Sequence, residues 1–160
     1  MWKKFQLILF VEQFLIKGWE IGILLLLPIL KIQGKISLVD LGVLSTSLSI
    51  AQFGSSLFSG QILQKIGYKR MMILSGILGV TSWLILATQP TSWLMVILYI
   101  CAGAASGLFE TCGVSMIAKN HSQGKRSEEL GNLAMVGDTG RILATGVTTI
   151  LVISWGVNTY

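Results

Sequence analysis

Six ionisable side chains stand inside long apolar stretches of this chain: Glu12, Lys17 and Glu20 in the first, Glu110 in the fourth, Asp138 and Arg141 in the fifth. A charge at the centre of a membrane helix costs about 2.5–3.5 kcal/mol on insertion scales, so each requires a partner or a wet cavity. At about 100° per residue, Gln13, Lys17 and Glu20 fall within an arc of about 60°, and Glu12 lies about 80° from Glu20. Asp138 and Arg141 have the i,i+3 spacing of a helix-surface pair and share a sector with Thr145, Thr148 and Thr149. Gly103, Gly107, Glu110 and Thr111 form an i, i+4, i+7, i+8 stripe. These three polar faces are expected to turn toward one aqueous interior. Lys17 with Glu20, and Asp138 with Arg141, equally read as neutralising pairs that only hold helices together. Glu12 and Glu110 have no obvious partner in the sequence, which favours a functional role for them. The six amount to four acids and two bases, a surplus of negative charge that suits a bound cation or a proton.

The elements that carry these residues are apolar stretches over 5–30, 38–63, 71–89, 93–118 and 128–155. About 20 residues rising 1.5 Å each cross roughly 30 Å of hydrocarbon, and every stretch is near or above that length. With 52% hydrophobic and 12% charged residues, a water-soluble domain of this size would expose too much apolar surface, so lipid is the expected solvent. The expected fold class is all-α: a polytopic membrane bundle of five transmembrane helices in one transmembrane domain, residues 1–160. Its short connections predict antiparallel sequence neighbours.

Lys3, Lys4, Lys65, Lys69, Arg70, Lys119, Lys125 and Arg126 fall on one set of alternate connections, against Lys31 and Lys35 on the other. The positive-inside rule then places the N-terminus in the cytoplasm of a multi-pass protein of the cell membrane, and the C-terminus outside. Trp83, Trp93 and Trp155 fall near the outer ends, as an aromatic belt would place them. The net charge of +5 reads as an insertion signal with affinity for anionic head groups, and no basic cluster interleaved with aromatics suggests nucleic acid. The first stretch lacks a small-residue cleavage pattern and is interrupted by charges, so it is expected to stay as a helix.

Ser37 and Asp40 are spaced to cap the second helix, Thr91 and Ser92 after Pro90 offer a cap for the fourth, and Ser127 before Glu128 and Glu129 offers one for the fifth. Gly42, Ser45, Ser49, Ser56, Ser59 and Gly60 in the second stretch, and Gly103 with Gly107 in the fourth, are expected to pack helices closely. The third stretch has no ionisable residue and is expected to face lipid. Cys101 and Cys112, eleven residues and thus about 16 Å apart along a helix, cannot bridge each other. No cofactor motif, phosphate-binding loop or metal-ligand cluster is present. Ala104-Ala105-Ser106-Gly107 resembles the Gly-x-Ser-Gly of intramembrane serine proteases, but His121, the one histidine, falls in a connection, so no Ser/His pair and no enzyme is expected.

The connection Gly60-Gln61-Ile62-Leu63-Gln64-Lys65-Ile66-Gly67-Tyr68-Lys69-Arg70 resembles the signature of the major facilitator superfamily, Gly-x-Leu-Ala-Asp-Arg-x-Gly-Arg-Arg/Lys, at its place after the second helix. Gly60, Gly67 and Lys69 match, and Lys65 replaces an arginine by another cation. Gln64 stands where the family usually has Asp, and Tyr68 where it has Arg. Gly137-Asp138-Thr139-Gly140-Arg141 is similar to the start of the family's fifth helix, although Arg141 and Ile142 stand where antiporters carry Gly-Pro. The resemblance implies secondary transport of a small solute by twelve helices in two halves of inverted three-helix repeats, with the substrate near the midplane. It also implies that helices one and four line the cavity, which would place Glu12, Gln13, Lys17, Glu20 and Glu110 there. A chain with five spans is then expected to be an incomplete N-terminal half, truncated or split, completed by a second chain. The alternative expectation is a small membrane-embedded binding or accessory subunit of a multi-protein transporter, which would not need the glycine-and-basic turn.

Overall fold

The computed structural model describes residues 7–18, 20–21, 36–86, 88, 91–121 and 123–156. Among these residues there are five helices and no strand, so the all-α expectation holds. Helix α1 covers residues 7–18 and 20–21, α2 Leu38–Ile66, α3 Tyr68–Leu86, α4 Ser92–Asn120 and α5 Gln123–Gly156. Helices α2, α3 and α4 are each long and apolar enough to cross a membrane. Lys3, Lys4, Lys31, Lys35 and Pro90, together with the far end of the first stretch, lie outside the described residues. The chain divides into two compact units, Met1–Lys35 with Gln123–Tyr160, and Ile36–Ser122.

In the Ile36–Ser122 unit, α2 starts with the expected capping box. Ser37 Oγ accepts the Asp40 backbone N–H at 3.1 Å, and the Asp40 carboxylate accepts the Ser37 N–H at 2.9 Å. Helix α4 is the centre of the unit, with Leu98, Tyr99, Ala102, Ala105, Phe109, Cys112 and Ile117 buried along its length. The reason α2 lies so close to it is a glycine notch: a Cβ on Gly103 would collide with the Leu48 carbonyl, and one on Gly107 with Ser55 Oγ and the Gln52 carbonyl. The pairing of Leu48 with Gly103 and of Gln52 with Gly107 advances in step along both chains, so α2 and α4 are parallel. Helix α3 runs antiparallel to α4, with Gly79 beside Ala105 and the Trp83 ring edge-on to Tyr99 at 6.3 Å. Its other side exposes Ile73, Leu74, Ile77, Val80 and Leu84, an apolar surface with no charge on it.

The antiparallel order expected of sequence neighbours holds for α2, α3 and α4; within it α2 and α3 share only a small interface, whereas α2 and α4, joined through α3, share a broad one at the glycine notch. Two expectations require correction. Gly42 and Gly60 have nothing within 4 Å of a would-be Cβ, and the hydroxyls of Ser45, Ser49 and Ser56 donate to their own helix backbone. Of that set only Ser59 is buried. Finally, Thr91 precedes α4 without a side-chain cap, and α5 begins at Gln123, which leaves Ser127 inside the helix and unable to cap it.

In the other unit, α1 lies parallel to α5. The backbone of Phe14 meets Gly140, Gly18 faces Gly140 and Ala144, and Gly137 faces the side chains of Gln13 and Lys17. A Cβ on Gly140 would run into the Phe14 carbonyl, so the glycines of the Gly137–Arg141 segment serve as the surface on which α1 rests.

Candidate functional site

Leu9, Gln13 and Lys17 repeat every four residues and form the buried stripe of α1. The parallel register with α5 then sets Glu20 beside Arg141. Lys17 Nζ lies 3.3 Å from Glu20 Oε2, and Arg141 Nη2 lies 3.9 Å from the same oxygen. Arg141 Nη1 donates to Asp138 Oδ1 at 3.2 Å. The two i,i+3 pairs expected from spacing therefore join into one chain of alternating charge, Lys17–Glu20–Arg141–Asp138, with Glu20 as the link between helices. Exposure rises along it, from 6% at Lys17 and 12% at Glu20 to 42% at Arg141 and 64% at Asp138, so the Lys17 end is the desolvated one. There the Coulomb attraction is least screened and the cost of an unpaired charge is greatest.

Gln13 is 5% exposed, and its buried Oε1 accepts no hydrogen bond among the described residues. Such an acceptor wants a donor, because a buried polar atom without a partner costs about 1–3 kcal/mol. Glu12 is half-buried and has no ion-pair partner among the described residues.

In the Ile36–Ser122 unit, Glu110 is exposed on α4 and accepts a hydrogen bond from Gln52 Nε2 at 3.4 Å; the same amide reaches Ser106 Oγ at 3.4 Å. Gln52 was not among the sequence-derived candidates. Its signal was available as a lone amide in the middle of an apolar helix, but its value depends on the parallel register that brings it to α4. Ser106 is buried, and His121 follows it by fifteen residues, about 22 Å along the helix axis, too far for proton exchange between the two. Among the described residues no cluster of three or more His, Cys, Asp or Glu side chains could hold a metal ion. A cavity of about 260 Å³ at the N-terminal ends of α2 and α4 is lined by Ile36, Asp40, Val43, Leu44, Trp93, Met95 and Val96. None of the residues expected to bind solute lines it.

The signature segment is tighter than the loop expected from sequence. Gly67 alone separates α2 from α3, at φ 79°, ψ 162°, a region essentially reserved for glycine. Its N–H donates to the Leu63 carbonyl at 2.9 Å, and its carbonyl accepts the Met71 N–H at 3.1 Å, so one residue ends one helix and starts the next. Gln64 and Lys65 occupy the last turn of α2, Lys69 and Arg70 the first turn of α3, and Gly60 is exposed. Tyr68 ties this elbow to α4: its carbonyl accepts Cys112 Sγ–H at 3.6 Å, and Lys119 Nζ lies over its ring, 5.4 Å from the centroid. Cys112 and Lys119 were not expected to take part.

The family model of the Major Facilitator Superfamily matches residues 9–159, almost the entire chain. The chain belongs to the major facilitator superfamily. Comparison with curated proteins finds no match. As a major facilitator protein it is a membrane protein of transporter type, and the Gly67 elbow is its form of the superfamily's signature turn. Where other superfamily members place an arginine in that turn, this one places Tyr68 and recruits Lys119 from α4 to lie over it.

Proposed function

We propose that this major facilitator protein moves a small solute across the cell membrane as a secondary carrier, and that Glu12, Gln13, Lys17, Glu20 and Glu110 contact the solute or a coupling ion. The observation that carries the reading is the Lys17–Glu20–Arg141–Asp138 chain with the buried, unsatisfied amide oxygen of Gln13 beside it. Charge at this density is tolerated at membrane depth where it is paired and where a polar path needs it. The chain balances two cations against two acids. Glu12, with no ion-pair partner among the described residues, and the Gln13 acceptor then favour a cationic solute with N–H donors, or a proton. The proposal includes a cytoplasmic N-terminus, five crossings and an outer C-terminus, from the placement of lysine and arginine.

The test is uptake into proteoliposomes holding the full chain, with a panel of small organic cations and anions outside and a pH-sensitive dye inside. A cation is expected to enter faster than into empty liposomes, and Glu12→Gln to abolish the difference. Selective entry of anions, or uptake indifferent to both Glu12→Gln and Glu20→Gln, overturns the reading.

A further inference from the structure

The signature elbow gathers cations apart from the residues proposed to contact the solute. Lys65 closes α2, Lys69 and Arg70 open α3, and Lys119 lies in the last turn of α4, brought to the elbow by its seat over the Tyr68 ring. All four cations are exposed, and none has an ion-pair partner among the described residues. From Leu41 to Phe109 the sequence contains neither Asp nor Glu; Glu110 precedes Lys119 by nine residues, about 13 Å along α4, and the next acids, Glu128 and Glu129, follow Lys119 by nine and ten. Lys69 and Arg70 moreover stand in the first turn of a helix, where the backbone dipole already disfavours positive charge. Four like charges gathered around one glycine repel one another unless an anion lies among them.

We propose that this end of the Ile36–Ser122 unit binds the phosphate head of an anionic phospholipid, with Lys65, Lys69, Arg70 and Lys119 as counter-ions and Tyr68 as the positioning residue for Lys119. The proposal rests on the membrane setting of α2, α3 and α4, and not on which solute is carried. A lipid head fits better than a soluble anion because the cations lie at the ends of helices long and apolar enough to cross a bilayer, at the level where head groups stand. A negatively charged leaflet is attracted by each added surface cation, and a bare patch of four answers that field.

The purified full chain in a zwitterionic detergent, given phosphatidylglycerol and phosphatidylcholine with identical acyl chains in equal amounts, can be read by native mass spectrometry. Phosphatidylglycerol should be retained in preference. Retention should fall about fivefold for each of Lys65→Gln, Lys69→Gln, Arg70→Gln and Lys119→Gln, the effect of one surface cation. Tyr68→Leu should lower it by freeing Lys119, Tyr68→Phe should preserve it, and the exposed neutral change Gln61→Ala should leave it unchanged. Equal retention of the two lipids, or retention indifferent to the four cation variants, overturns the proposal. So does displacement of the lipid by inorganic phosphate, which would assign the patch to a free anion, or by a polyglutamate peptide, which would assign it to an acidic protein. Circular dichroism of each variant separates lost binding from lost fold, and Lys119→Arg, which keeps the charge and the ring contact, should bind as the parent does. Because the readout is lipid retention, a chain that carries no solute can still pass this test.

Discussion

Glu20→Gln removes the carboxylate shared by buried Lys17 on α1 and Arg141 on α5. Breaking a buried pair from one side costs about 3–5 kcal/mol, and partial exposure of Arg141 places the expected loss near the lower figure. Denaturant titration in detergent micelles should show it, and the double change Lys17→Met with Glu20→Leu should cost less than Glu20→Gln alone. A full single-variant effect that survives in the double variant would mean that Glu20 acts through something other than Lys17. Gly67→Ala is the second test at this scale. Nothing lies within 4 Å of the added methyl, so the penalty is the backbone's alone, about 1–3 kcal/mol for a non-glycine residue at such dihedrals. Gly60→Ala, at an exposed and open helical position, should instead stabilise by up to about 1 kcal/mol in the same titration.

Helix packing turns on which glycines face a partner. Gly103→Val and Gly107→Val place side-chain atoms against the carbonyls of Leu48 and Gln52, and each should destabilise by about 1–3 kcal/mol or prevent α2 and α4 from associating. Gly42→Val, with open space around it, should not. Cross-linking yield between cysteines introduced at Gln52 and Ser106, which meet across α2 and α4, measured in each of the three valine variants, distinguishes the two outcomes. The comparison also shows how far elements were legible in the chain. The Ser37–Asp40 box, the Gly103–Gly107 pair and the i,i+3 ion pairs are local patterns, complete within one helix, and they hold. The role of α2's small residues and the link from Glu20 to Arg141 depend on which helix lies alongside and at what register, and the Ser127 cap fails because α5 starts one turn earlier, at Gln123. Spacing ranks positions around one axis and is silent about the neighbour. Gln52, Cys112 and Lys119 were overlooked for the same reason: each gains its meaning from a contact more than forty residues away.

At the scale of the whole molecule, membership of the superfamily agrees with the signature read between the second and third stretches, while the solute itself is not written in any single motif. Parallel α2 and α4 make a topological prediction. Cysteines placed at Ser37 and Thr91 should react with a membrane-impermeant thiol reagent from one side of the bilayer, and cysteines at Gln64 and Asn120 from the other. Reaction of all four from the same side would contradict three crossing helices.

The one-residue elbow at Gly67 has a practical corollary for anyone who wishes to graft a reporter into this protein. Adding a single amino acid there would break the paired use of one N–H and one carbonyl by which Gly67 stops α2 and begins α3, and would move α3 and α4 together relative to α2, off the Leu48–Gly103 and Gln52–Gly107 seats. The hinge between these two rods tolerates no slack, so a splice belongs elsewhere in the chain.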